Sequence, residues 1–179
     1  MTRSPLAVPD HLVLAAATLA QGIEYFADLT GVAPQPGGKH VTMGTHNALV
    51  RLGERLYLAI LAIDPQGITP ARPRWFDLDD GNLRADLAER PRLIHWVART
   101  VDLAAAVERA KVPLGEILPF ERGDYRWRIT VPEDGHRWDE VLRPRPAQHA
   151  LGVGRQLHRH RVGPQFVERG HDRACRTGP

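Results

Sequence analysis

The chain has 179 residues, 42% of them hydrophobic and 25% charged, with one cysteine and a formal net charge of +3. That length suits one domain or two small modules around a shared core, and the apolar fraction is that of an ordinary globular protein. A single cysteine excludes an internal disulfide framework and a thiolate zinc cluster, and no apolar run approaches the roughly 18 residues that span a bilayer.

The charge is unevenly placed. Residues 1–135 hold 15 Lys and Arg against 17 Asp and Glu, whereas residues 136–179 hold 9 against 4, together with five of the nine histidines. The basic character therefore belongs to the tail, which removes most of the support for specific nucleic-acid binding. The first ten residues show neither the charge cluster nor the apolar stretch of a signal peptide, so a cytoplasmic location is expected.

In chain order, residues 12–15 (Leu-Val-Leu-Ala) predict a short buried strand. Thr18 or its neighbours cap a helix over residues 19–29, with Leu19, Ile23, Phe26 and Ala27 on one face and Gly31 as its stop. Residues 33–39, rich in Pro and Gly, predict a loop. Strands are expected over residues 47–52 and 56–63, joined by a hairpin at Gly53-Glu54. A polar connection over residues 64–91 holds Arg72-Pro73-Arg74-Trp75-Phe76 and a helical turn near residues 83–89. Residues 93–98 then read as a strand, and Asp102 caps a helix over residues 103–111. Residues 125–131 alternate like a half-buried strand.

The order strand, helix, strands thus occurs twice, and the two copies match in detail. His11, Val13, Leu19, Ala20, Ile23 and Glu24 are each followed 84 residues later by His95, Val97, Leu103, Ala104, Val107 and Glu108. A period of that length points to two copies of one supersecondary unit. The last strand of the first copy, residues 55–63, has its ungapped counterpart at residues 139–147, where two prolines and two arginines make a poor central strand. From about Gly135 the chain turns to Arg, His, Pro and Gly. That mixture buries too little to offset its ordering entropy, and it also resembles GC-rich coding sequence read in a shifted frame.

Paired modules that each open with a histidine on the first strand resemble the vicinal-oxygen-chelate superfamily (glyoxalases, bleomycin-resistance proteins and dioxygenases). Within it the chain is most similar to the glyoxalase-like domain family. The residues that carry the resemblance are Asp10-His11-Leu12-Val13-Leu14, Tyr25-Phe26 and Leu29-Thr30-Gly31-Val32. With them go Pro36-Gly37-Gly38-Lys39-His40, Met43-Gly44-Thr45-His46-Asn47-Ala48-Leu49, Tyr57-Leu58, Arg72 to Phe76 and Arg126-Trp127-Arg128. The resemblance implies an α+β fold of two βαβββ modules whose curved mixed sheet forms a cup, with the second module incomplete. On this reading the domain covers residues 8–134 (first module 8–63, linker 64–91, second module 92–134), and residues 135–179 are a basic, disordered or frame-altered tail.

In metal-dependent members each module supplies one ligand from its first strand and a carboxylate or similar group from its last. The resemblance accordingly places His11 and His95 as candidate ligands of a divalent metal. A departure follows at once, because Ala59 stands where a glutamate is usual and Arg143 is its ungapped counterpart. Two histidines alone do not make the three or more ligands that a catalytic divalent ion requires.

Other residues carry two readings each. Asp10 orients the His11 imidazole or is a solvated strand-leading charge. His46 and Asn47, with His40, are polar contacts on the cup rim, or Asn47 bonds loop backbone. Arg72, Arg74, Trp75 and Phe76 meet an anionic ligand or anchor the linker. Cys175 has nothing nearby in sequence to activate it, and the His158-Arg159-His160 run reads as surface.

Three functions remain open at this level. The first is a small-molecule-binding cup with an incomplete metal site, and the second is a metal-dependent lyase, isomerase or dioxygenase-type enzyme. The third is a truncated, inactive relative that pairs its open sheet edge in a homodimer.

Overall fold

A computed structural model of the chain describes residues 7–122, 125–136 and 165–169. The sequence features at Arg143, His158, His160 and Cys175 lie outside the described residues. The first half runs β1 (Ala7–Ala15), α1 (Leu19–Thr30), β2 (Gln35–His40), β3 (Thr45–Arg51) and β4 (Tyr57–Ile63). After α2 (Gly81–Glu89) the second half runs β5 (Arg92–Thr100), α3 (Leu103–Arg109), β6 (Glu116–Arg122), β7 (Tyr125–Val131) and β8 (Gln165–Arg169). All eight strands join one mixed sheet in the order β2-β3-β4-β1-β5-β8-β7-β6, so the fold is the expected α+β arrangement.

The helices start where their caps dictate. The Thr18 hydroxyl accepts from the Gln21 N–H at 3.1 Å, and the Gln21 side chain in turn accepts from the Ala17 N–H at 2.9 Å. Asp80 and Asp102 cap α2 and α3 by accepting from Leu83 and Ala105. Gly31 ends α1 in the left-handed region at φ 71.

Alternation along β1, β3 and β4 separates two apolar layers. Leu14, Ala48, Val50, Leu58 and Ile60 pack under Leu19, Ile23 and Phe26 of α1. Val13, Leu61, Ile129 and Val167 face the other way, into the concave side, where Trp75 and Phe76 of the linker join them.

One expected loop, and one stretch for which no element was expected, turn out to be edge strands. β2, Gln-Pro-Gly-Gly-Lys-His, and β6, which carries Pro119, stand at opposite ends of the sheet order. A proline is tolerated there because one side of an edge strand needs no ladder hydrogen bond. The register of β2 on β3 slips between Pro36 and Gly38, which marks a bulge.

The larger difference lies in the tail. Gln165–Arg169, within the stretch expected to lack structure, is a strand set between β5 and β7. The second half therefore does reach a closing strand, five residues long, arriving after residues 137–164, which lie outside the described part.

Candidate functional site

The concave face holds a cavity of about 420 Å³ lined by residues of both halves, within the size range of small-molecule sites. His11 and Val13 line it from β1, Asn47, Leu49 and Arg51 from β3, and Tyr57, Ala59 and Leu61 from β4. Each set alternates along its strand, so the cup face is fixed by the pleat. Trp75 and Phe76 enter from the linker, and Trp127 and Ile129 from β7. No Asp or Glu is among the described lining residues. A larger hollow of about 840 Å³ lies beyond the wall made by His40 and Trp127, toward β6.

The register places the candidate ligands. His11 stands opposite Tyr57 on β4 and Val97 on β5, while Val13 stands opposite Ala59 and His95. His11 and His95 are therefore near neighbours on the two central strands, related across Leu12 and Trp96. On the far side of β5, Val97 stands opposite Gln165 of β8. Val97 follows Val13 by the same 84 residues that separate the two histidines, so Gln165 occupies in the second half the place Ala59 holds in the first.

Sequence reasoning missed Gln165, looking instead to Arg143. The signal was present in the alternation of Gln165-Phe166-Val167-Glu168, but the surrounding Arg, His and Pro hid it. Gln165 is buried, its amide nitrogen donates to the Thr130 carbonyl, and its Oε1 has no hydrogen-bond partner among the described residues.

His11 is held firmly. Its Nδ1 lies 2.8 Å from a carboxylate oxygen of Asp10, and its ring stacks on Tyr57 with centroids 4.7 Å apart. Asp10 is only 1% exposed and also lies 3.5 Å from the Arg99 guanidinium, so it is no solvated strand-leading charge. A bulge between Pro9 and His11 makes this possible, since it turns Asp10 out of the regular alternation. His95 is also buried, but it does not line the cavity, and its ring packs against Phe76 at 5.0 Å.

The rim candidates divide. Asn47 lines the cup, and its Oδ1 accepts from the Gly38 N–H at 2.9 Å, which fixes the β2 bulge. Gly37 is needed there, because a Cβ on it would lie 2.1 Å from that same oxygen. His40 also lines the cup, bonded through Nδ1 to the Thr45 hydroxyl at 3.1 Å and set edge-on to Trp75. His46 is not brought to the rim: alternation turns it to the α1 side of β3, away from the cavity.

Arg72 donates to Glu116 and to the Val131 and Pro132 carbonyls, and Arg74 pairs with Asp79. Arg72 fastens the linker to the second half, Arg74 braces the linker internally through Asp79, and Trp75, 4% exposed, is its buried anchor.

As a metal site the arrangement is deficient. His11 and His95 are diagonal neighbours on β1 and β5, but Ala59 offers no ligand, Gln165 offers a neutral oxygen, and Phe76 packs on the cup side of His95. Among the described residues no three His, Cys, Asp or Glu side chains form a group that could hold a metal ion. The described residues do not fit a divalent cation of the usual three or more ligands.

Comparison with known proteins agrees with the fold. The family model described as a glyoxalase-like domain matches residues 10–169. Among solved structures, a hypothetical protein from Staphylococcus aureus aligns at 15% identity and a TM-score of 0.55, over 92% of this chain and 59% of that one. A hypothetical protein from Bacillus halodurans aligns at 10% identity and a TM-score of 0.51, over 93% and 96%. Methylmalonyl-CoA epimerase from Mycobacterium tuberculosis aligns at 17% identity and a TM-score of 0.48, over 94% and 91%. No curated protein matches the chain. At such identities the two likenesses with TM-scores above 0.5 bear on fold alone, and the third carries no argument.

Proposed function

The chain belongs to the glyoxalase-like domain family, and from that premise we propose that it is a small-molecule-binding member whose cup holds its ligand without a complete metal site. The observation that carries this reading is Ala59, a buried methyl facing the cup where the resemblance calls for a carboxylate. The walls support it: Tyr57, Trp75, Phe76, Tyr125 and Trp127 offer aromatic surface, with Asn47 and Arg51 as polar contacts. Such a pocket binds by burial and ring contact, and its few polar groups orient the ligand. The 84-residue echo fits the same reading as an internal repeat, because it makes the β1–β5 pairing symmetric about Leu12 and Trp96.

A second reading, a metal-dependent lyase, isomerase or dioxygenase-type enzyme, draws on the buried Asp10 at His11. A carboxylate on the far nitrogen of an imidazole is the usual support of a ligating histidine. It lacks the anionic ligand that Ala59 would have to be.

Trp75 and Trp127 line the cavity and so report on it. Titration with the dye 1-anilinonaphthalene-8-sulfonate, followed by energy transfer from tryptophan, should saturate at one dye per chain and be indifferent to EDTA. Ala59→Trp, which puts an indole into the cup, should abolish the signal. Unchanged dye binding in a folded Ala59→Trp protein would overturn the proposal.

A further inference from the structure

Phe76 and Asp77 are the only non-glycine residues with positive φ among those described, at φ 61 and φ 57. Left-handed backbone is unfavourable for a side chain as bulky as phenylalanine and persists only where its surroundings enforce it. Here the enforcement is visible. The Asp77 N–H donates to the Gly135 carbonyl at 3.0 Å, and the Asp77 carboxylate meets His136 Nδ1 at 2.6 Å. Gly135, itself at φ 73, packs so tightly that a Cβ on it would lie 2.2 Å from the Arg74 carbonyl oxygen. Arg74 is held in turn by Asp79, which takes both its backbone N–H and its guanidinium. The turn after β7 and the start of α2 thus grip the linker from both sides and force one side chain inward.

That side chain is the Phe76 ring. It is 5% exposed, lines the cavity, and packs against His95 on one side and Trp75 on the other. Behind it lies His95, which, like Gln165 of β8, is buried and does not line the cavity. In front of it the open space is bounded by rings, aliphatic side chains and the neutral amides of Gln35 and Asn47, with no carboxylate among the described lining residues and with Arg51 at the edge.

We infer that Phe76 is a fixed plug that closes the second-module side of the cup and makes the site one-sided, selecting a planar aromatic carboxylate. The ligand's ring would lie among Tyr57, Trp75, Phe76 and Trp127, and its carboxylate would face Arg51, the one arginine or lysine of the described lining. Phe76 acts as a specificity determinant by excluding volume and by denying the ligand access to His95. The inference rests on the proposed binding function, but the plug itself can be tested apart from it.

The test uses the full chain, Phe76→Ala and the milder Phe76→Leu, with circular dichroism to establish folding. Two readouts are taken: binding of 2-naphthoate and pyrene-1-carboxylate by tryptophan quenching, and modification of His95 by diethyl pyrocarbonate mapped by mass spectrometry. The wild type should prefer 2-naphthoate by at least tenfold. Phe76→Ala should reverse that preference and modify His95 at least tenfold faster, with Phe76→Leu between the two. Should Phe76→Ala not fold, Phe76→Leu decides alone by the same two shifts. Faster modification of His95 without binding of either carboxylate by the wild type would keep the plug and end the binding function. Unchanged selectivity together with unchanged His95 reactivity in a folded variant would overturn the plug.

Discussion

An isolated carboxylate at 1% exposure would cost several kcal/mol in lost hydration, so Asp10 depends on the charges and hydrogen bonds around it. His11 and Arg99 meet it, and through that contact the imidazole is locked in place on the cup wall. Asp64 shows the same logic with a measurable consequence. The Lys39 ammonium at 2.7 Å, and next the Gln66 N–H at 3.0 Å, hold its carboxyl below the ordinary value of 3.8. A depressed carboxylate adds stability that is fully present above the unfolded value and is lost as pH falls through the folded one. The denaturant midpoint of the wild type should therefore fall on acidification below about pH 4, and that of Asp64→Asn should fall less steeply over the same window; parallel curves would remove Asp64 from the account. At this scale the sequence was only partly legible. The histidine pair could be named from the 84-residue match and Ala59 from the resemblance to the glyoxalase-like family, whereas the burial of Asp10 depends on a bulge that no periodicity announces.

Elements meet at glycines as often as at large side chains. A Cβ on Gly22 of α1 would lie 2.5 Å from Ile60 Cγ2 and 2.9 Å from the Ala16 Cβ. Alanine would gain about 1 kcal/mol of helix propensity, but Ile60 is a fully buried, branched side chain with no room to yield, and overpacking costs about 1–3 kcal/mol. Gly22→Ala should therefore lower the urea midpoint despite the better helix former; a raised midpoint would show that α1 can lift off β4. Gly135→Ala belongs to the linker clamp. With φ 73 and the Arg74 carbonyl 2.2 Å from the added carbon, it should cost about 2 kcal/mol or more. In chemical denaturation a loss below about 0.5 kcal/mol, the scale of a neutral surface change, would mean the clamp carries no load. Helices α1 and α3 were legible because Thr18 and Asp102 are capping residues and Gly31 is a stop, whereas α2, expected as one turn near residues 83–89, runs a full nine residues from its Asp80 cap. Edge strands β2 and β6 were not legible, because Pro36, Gly37, Gly38 and Pro119 are written in the vocabulary of loops.

Across the whole molecule the two halves share β1 and β5 as their seam, and each half closes on a strand parallel to its own first strand. In the second half that strand is β8, and it inserts Val167, 1% exposed, between Arg99 and Ile129. Without it β5 and β7 would each present an unpaired edge. Val167→Asp should accordingly cost about 3 kcal/mol or more through an unpaired buried charge. An unfolding curve like that of the wild type would mean that β8 is no part of the core. The fold class was legible from one repeated order of elements, and the closing strand was not, because a five-residue strand gives too short a pattern to stand out from 44 basic and proline-rich residues.

Calorimetric titration with 2-naphthoate of protein first stripped with EDTA, then supplied with one equivalent of Zn²⁺, decides whether the cup works without a metal. One site of the same affinity, within a factor of two, is expected in both titrations. Binding that is absent in the stripped protein and restored by stoichiometric Zn²⁺ would contradict a metal-free cup.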